Sequence, residues 1–504
     1  MSRGGDRTVG RVVVVAVTFL VSFGTACKRD VPQEGPSLPA PPDPPPVASA
    51  AKEAGAWLLA PRCGDPAPPI AIDGLDGARL VATGNAERVA DEVVVGVLRD
   101  AKPGASSSPG APAVGGLLRV RASTTPGAPR TRASFVAVGD ADTDAPAPLV
   151  RVHGDDLFSF FHAAGPVIDG TRDAGAKARP GTPSKSVRPL RIQKWRASGL
   201  DAPPTTVATL GTSRDASFAF DVDLADDGGM IVWDDDVPSG SRGEIRGVAL
   251  DTQGAVRGAP FVVSPATSDA EAPKVSVTRD GAWVAWIART NAVPRDAGGG
   301  GADPAHLEGP GELPTFTWIE LARLDREGHV VREAKAVTRR RGHVGEFTFA
   351  PDDEGRLALF VHDDVQRADG AGGRLIRVVV SPDGDVSASA AQVAVRDGIG
   401  IGDVDVLRPW VRSGSRTDLG PWARSWLLVS DPSDALRITL ASHTNSADSV
   451  SREPSLTGAR PLALDIGGPE APCTGVPPAC KVTFLGAFAT SRGIDVREAS
   501  CRVP

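Results

Sequence analysis

A short pattern recurs in the middle of the chain: an acidic residue, a glycine, then an apolar run ending in a large aromatic side chain. Asp227-Gly228-Gly229-Met230-Ile231-Val232-Trp233 is one copy and Asp280-Gly281-Ala282-Trp283-Val284-Ala285-Trp286 is another. Glu354-Gly355-Arg356-Leu357-Ala358-Leu359-Phe360 is a third. Glycine after an acid suits a tight turn, and a β-rich apolar run after it reads as a buried strand. Short strands precede these turns at Phe218 to Val222, Val275 to Val277 and Phe347 to Phe349. A third strand, a turn and a return strand follow. Val248 to Leu250 leads to Asp251 and Gly254, Ile319 to Leu324 to Asp325 and Gly328, and Ile376 to Val380 to Asp383-Gly384. The unit is therefore four antiparallel strands, with a period of roughly 50 residues once an insertion at Asn291 to Pro314 is set aside.

A lone four-stranded unit with apolar residues on both faces cannot hide them. Units set in a ring bury each against the next and shorten the exposed edges. The expectation is an all-β fold, a β-propeller of about seven four-stranded blades, with six and eight as alternatives. Weaker copies extend the series: Asp155 to Phe161, Asp91 to Val97 with Leu118 to Ala122, and Trp426 to Val429 with Leu436 to Leu440. Pro461 to Ile466, Lys481 to Ala489 and Ile494 to Val496 supply a last one. Gly 57 and Pro 45 in 504 residues fit this turn-rich reading, since both residues are poor in helix interiors. The recurrence of Trp233, Trp286 and Phe360 at one place in the unit points to packing between sheets rather than to a ligand.

The N-terminus carries an address. Arg3, Arg7 and Arg11 precede the apolar run Val12 to Phe23, which is too short to span a bilayer, and Gly24-Thr25-Ala26-Cys27 follows. These residues resemble the lipobox of bacterial lipoproteins, in which the cysteine is lipidated and becomes the mature N-terminus. Gly24 departs from the aliphatic residue usual there, and ordinary cleavage after Ala26 is the alternative. The resemblance makes residues 1–26 a lipoprotein signal peptide and Cys27 the lipid anchor. Lys28, which is not Asp, implies the outer membrane. Residues 27–56 hold the anchor and a linker rich in Pro and Ala, with Pro41, Pro42, Pro44, Pro45 and Pro46 nearly consecutive, and such a segment has little to bury. The propeller takes 57–504.

With Cys27 lipidated, the remaining cysteines form an even set, as suits an exported chain. Three pairings are open. The favoured one joins Cys473 to Cys480 across a short loop and Cys63 to Cys501, tying the start of the folded body to its end. Free thiols are the alternative. By the chain-entropy model a bridge closing so long a loop contributes on the order of 4–5 kcal/mol.

Motifs for chemistry are absent from the sequence: no G-x-S-x-G, H-E-x-x-H or P-loop. The histidines are scattered, and His362-Asp363-Asp364 follows an aromatic strand with no evident partner in the sequence. Asp140, Asp142 and Asp144 have the alternate spacing of a calcium loop but lack its glycine and its closing glutamate, so no metal is expected. Asp234-Asp235-Asp236 and Arg339-Arg340-Arg341 read as solvated loops. No catalytic residues and no cofactor are expected. A net charge of −7 speaks against a nucleic-acid footprint. Over Ser217 to Val395 the repeats resemble the divergent propellers of bacterial lipoproteins, which implies architecture and not chemistry. The expected function is a monomeric, membrane-anchored scaffold that binds an envelope protein or glycan. The alternative is an exported hydrolase or lyase with a site assembled from inter-blade loops.

Overall fold

The computed structural model describes residues 62–100, 113–121, 132–139, 141, 146–163, 167–168, 185–196, 199–200, 203–211, 219–237, 242–291, 315–340, 342–351, 357–363, 374–381, 383, 385–393, 404–407, 410–411, 426–431, 434–442, 459–466, 481–491 and 493–502. All belong to the compact unit Asp43–Pro504. Cys27, Cys473, Cys480, Asp142 and Asp144 lie outside the described residues, as do Asp140 and Arg341.

Two short strands, β1 (Arg62–Cys63) and β2 (Ala71–Asp73), come first. Blade 1 is β3 (Leu80–Val89), β4 (Glu92–Asp100), β5 (Ala113–Arg121) and β6 (Arg132–Ala137). Blade 2 is built on β7 (Leu149–His153), β8 (Asp156–His162), β10 (Lys185–Arg196) and β12 (Thr205–Gly211), with the small β9 (Val167–Ile168) and β11 (Gly199–Leu200) also on β10. Blade 3 is β13 (Phe220–Ala225), β14 (Gly228–Asp236), β15 (Gly243–Leu250) and β16 (Val256–Val262). Blade 4 is β17 (Asp269–Thr278), β18 (Gly281–Asn291), β19 (Thr315–Leu324) and β20 (Val330–Ala336). Blade 5 is β21 (Glu346–Pro351), β22 (Leu357–Asp363), β23 (Arg374–Val380) and β24 (Val386–Val393). Among the described residues blade 6 has three strands, β25 (Val404–Leu407), β27 (Trp426–Asp431) and β28 (Asp434–Ser442), and β26 (Trp410–Val411) pairs with blade 7. Blade 7 is β29 (Ala459–Ile466), β30 (Lys481–Thr490) and β31 (Gly493–Arg502), and β1 adds to β31.

The first strands of the blades form a cycle. β3 lies against β7, β7 against β13, β13 against β17, β17 against β21, β21 against β25, β25 against β29, and β29 against β3. That closed circuit of inner strands defines an all-β propeller of seven blades. Its seam mixes the two ends of the chain: blades 7 and 1 join through the single pair Leu80↔Ile494, and β1 completes blade 7.

The second strands of blades 1 to 5 are buried on both faces, which explains their nearly unbroken apolar sequences. In β14, Ile231 and Trp233 pack with Phe158, Phe160, Leu190 and Ile192 of blade 2. Met230 and Val232 turn the other way, onto Val284 and Trp286 of blade 4. The alternation repeats one blade on, where Trp283 and Ala285 face Leu359 and Val361 of blade 5. Trp233, Trp286 and Phe360 are all buried, and the two tryptophans each face the preceding blade. The seam has the same construction: Val93, Val95 and Leu118 of blade 1 share one cluster with Leu462, Leu485 and Val496 of blade 7.

In blades 3 and 4 the turn between third and fourth strands is held by its aspartate. Asp251 Oδ1 accepts the backbone N–H groups of Gln253 and Ala255, each at 2.8 Å. In blade 4, Asp325 Oδ1 accepts those of Glu327 and His329, at 3.0 and 2.8 Å. The glycine of each turn has a second duty beyond its positive φ of 74° or 92°. A Cβ on Gly254 would stand 2.5 Å from the Phe158 ring of blade 2, and one on Gly328 would stand 1.9 Å from the Phe261 ring of blade 3. Glycine is required both by the backbone and by the close approach of the neighbouring blade.

Candidate functional site

Inner strands carry polar side chains that reach the next blade's backbone. Asn85 of β3 accepts the Val150 N–H and donates to the Val150 carbonyl, both at 2.8 Å. Arg151 of β7 donates to the Val222 carbonyl at 2.6 Å, and its guanidinium also pairs with Asp221 at 3.3 Å and Glu87 at 3.6 Å. Asp221 and Asp223 of β13 then accept the N–H groups of Val275 and Val277 in β17, at 3.0 and 2.8 Å. Inner strands belong to different sheets, so their facing backbone groups lack a ladder, and these side chains satisfy them instead. The register is stepwise, residue 221 to 275 and 223 to 277. β13 and β17 therefore run side by side in the same direction.

That direction separates two rims. The turns from first to second strands are tight in blades 1 to 4, as at Asp226-Asp227 and Arg279-Asp280, whereas in blades 6 and 7 that connection is the longer one, spanning 408–425 and 467–480. The connections from second to third strands are long in blades 1, 4 and 5, spanning 101–112, 292–314 and 364–373. On this second rim the ends of β14, β17 and β18 bring an acidic group around one arginine. Asp269 accepts the Gly243 N–H at 2.7 Å and Arg289 Nε at 2.8 Å. Glu271 meets Arg289 Nη1 at 3.0 Å. A bulge in β17 after Glu271 puts Ala272 at φ 50° and turns its N–H onto Asp234, at 3.3 Å. Burial works against the Arg289 charge. The Asp269 hydrogen bond and the nearby Glu271 and Asp234 outweigh it, and the guanidinium pKa rises.

Two sequence expectations need correction here. Asp234-Asp235-Asp236 is not a solvated loop: it is the half-buried end of β14, paired with β15 up to Asp236↔Gly243, and Asp235 lies 3.8 Å from Arg246. Arg339 and Arg340 are not free of the fold either. Arg339 pairs at 3.3 Å with Asp363, whose carboxylate is fully buried and also accepts the His343 N–H at 2.9 Å. Arg340 lies over the Trp318 ring, 5.5 Å from its centre, and 3.8 Å from Glu320. Local charge runs look solvated in a sequence because the partners that fold over them are distant in it. His362 is buried beside Asp363, while His162 packs edge-on against Phe220 across the blade 2–3 boundary.

Cys63 and Cys501 are joined by a disulfide and stand opposite each other in the β1–β31 pair. Among the described residues no group of three or more His, Cys, Asp or Glu is arranged to hold a metal ion. The rim and inner-ring residues were missed in the sequence, although one signal was present: Asp221 and Asp223, like Asp269 and Glu271, alternate with apolar residues in a strand. Charges on one face of an inner strand point to a polar lining.

No known protein family matches the chain, and no curated protein matches it. Solved structures do. A protein of unknown function from Dyadobacter fermentans is 10% identical with a TM-score of 0.38, covering 87% of this chain and 99% of its own. An α-L-arabinofuranosidase from Fusarium graminearum is 10% identical with a TM-score of 0.37, covering 84% and 93%. An α-L-arabinanase from Penicillium chrysogenum is 9% identical with a TM-score of 0.36, covering 71% and 93%.

Proposed function

We propose that this chain is an exported binding scaffold, held to the cell envelope through lipid on Cys27, and that the rim bearing the long connections receives a protein or glycan partner. The observation that carries the reading is the asymmetry of the two rims across blades 3 to 5. One has tight turns fixed by aspartate and glycine. The other has long connections seated on strand ends whose charged side chains are already tied together. Rigid elements that present variable loops are the usual arrangement for recognition. The charges of the inner ring act as latches between blades, so the platform keeps its shape while the loops make contact. Lipid on Cys27 and the linker to 56 would hold the ring off the outer membrane as a monomer.

The test is mild crosslinking in intact envelopes, followed by recovery of the protein and its partners, alongside a panel of envelope glycans. A specific partner is expected. Its capture should be lost when residues 292–314 and 364–373 are replaced by short glycine-serine turns. Capture that survives both replacements counts against the rim. Labelled fatty acid should enter the wild type and not Cys27→Ser, which should leave the membrane fraction. An unlabelled wild type overturns the anchor alone.

A second reading, an exported hydrolase, is favoured by one arrangement: Asp234, Asp269 and Glu271 gather around Arg289 on the same rim. Release of reducing sugar from envelope or plant polysaccharides by wild type, and its loss in Glu271→Gln with the fold intact, would establish it.

A further inference from the structure

The strand that closes the ring is among the shortest described and is also the one through which the linker enters. β1 pairs with β31 at Arg62↔Arg502 and Cys63↔Cys501 only. Beyond it the chain follows β31 through three backbone hydrogen bonds: Gly64 N–H to the Ser500 carbonyl, Ala67 N–H to Glu498 and Ile70 N–H to Val496, at 3.0, 2.7 and 2.8 Å. Most of residues 64–69 are exposed, and burial returns only at Ile70. By contrast, β31 is paired with β30 over its whole length, from Lys481↔Arg502 to Thr490↔Gly493.

Tension applied to a strand from one end loads its hydrogen bonds one after another, and each yields separately. The order here is fixed by the register. A pull arriving from the linker meets Arg62↔Arg502, then the Cys63–Cys501 pair, then Gly64, Ala67 and Ile70. The disulfide sits one residue in from the entry point, next to where peeling would start.

We infer that the Cys63–Cys501 bond is a tension clamp. It passes load from the membrane linker straight to β31, and so to the body of blade 7, and it keeps the closing strand 62–70 from peeling when a bound partner and the membrane move apart. The inference rests on the anchored reading above for the origin of the load. The bond's sequence separation of 438 is what makes it a ring closure rather than a local staple. Reduction by a dithiol, which leaves two cysteine thiols and converts the dithiol to its own cyclic disulfide, removes the clamp. Any load-bearing role is therefore confined to an oxidising compartment.

Force measurement on the full mature chain tests it, with one handle on the N-terminus in place of the lipid and a second at the exposed Val331 position in blade 4. The oxidised protein should show no small extension before the ring itself ruptures. Cys63→Ser and Cys501→Ser should each show an early, low-force step of about 3 nm, the extended length of the closing strand. Should a variant not fold, reduction of the prefolded wild type in the instrument gives the same comparison. An early step in the oxidised protein, or none after reduction, overturns the clamp. Because the handle replaces the lipid, this outcome is independent of whether Cys27 is acylated, which the labelling experiment reads separately.

Discussion

Blades 3 to 5 and the seam between blades 7 and 1 do the same job with different means. In blades 3 to 5 each sheet is one continuous piece of chain, and neighbouring sheets cohere through large interdigitated side chains: Trp233 against blade 2, Trp286 against blade 3, Trp283 against blade 5. At the seam the side chains are smaller, chiefly Val93, Val95, Leu118, Leu485 and Val496, and the outer strand is borrowed from the other end of the chain. A covalent bond stands there where the interior has aromatic mass. The lesson is that a ring built from near-equivalent wedges is closed by whatever makes up for the one joint where the chain is not continuous.

Trp286→Ala is the sharpest way to break that contrast. Removing a fully buried indole between two sheets should cost about 3–5 kcal/mol, read as a lower denaturant midpoint, and a loss below ~1 kcal/mol would mean the interior does not depend on its aromatics. Next comes the seam. Cys63→Ser with Cys501→Ser should cost roughly 2–4 kcal/mol and, in hydrogen exchange, expose the amides of β31 and β3 before those of β14 and β18. Uniform exchange across all blades would erase the distinction. Gly328→Ala probes an interior joint more gently. It forces a side chain onto the Phe261 ring at a φ of 92°, for about 1–3 kcal/mol, and the same change at Gly258, which has open space at φ 75°, should carry only the backbone part.

The smallest effect is electrostatic. Burial pushes the Asp325 carboxyl up, but hydrogen bonds from the His329 ring at 2.9 Å and from the His329 and Glu327 N–H groups outweigh it and hold its pKa below the ordinary 3.8. A lowered carboxylate pKa contributes stability above 3.8 that disappears as the pH falls through the folded-state value. Asp325→Asn should therefore be slightly less stable than wild type at about pH 6, with the gap narrowing as the pH is taken below 3.8, by urea titration at each pH. A gap that widens in acid would contradict this assignment.

Much of the ring was legible in the sequence because its repeat is local. Gly228, Gly281 and the turns at Asp251 and Asp325 announce themselves within a few residues, and the structure places strands where those marks fall. The weak copies also correspond to strands, at β4 and β5, at β8, at β27 and β28, and in blade 7. What could not be read is what depends on contacts between blades. Nothing near Asp363 foretells that it lies buried under Arg339, and nothing near Arg151 foretells its bond to Val222. The pairing of Cys63 with Cys501 was reasoned from parity and from the need of a ring to close. The register that sets them face to face emerges only once β1 is seen to lie along β31.

The cluster shared by blades 7 and 1 has a consequence for how this protein is made. Val93 and Val95 leave the ribosome long before the residues that cover them, Leu485 and Val496, which belong to a much later blade. Throughout synthesis, and through any passage across a membrane, the oldest blade keeps a greasy flank open. The finished molecule is sealed only when the youngest segment comes round to meet the oldest.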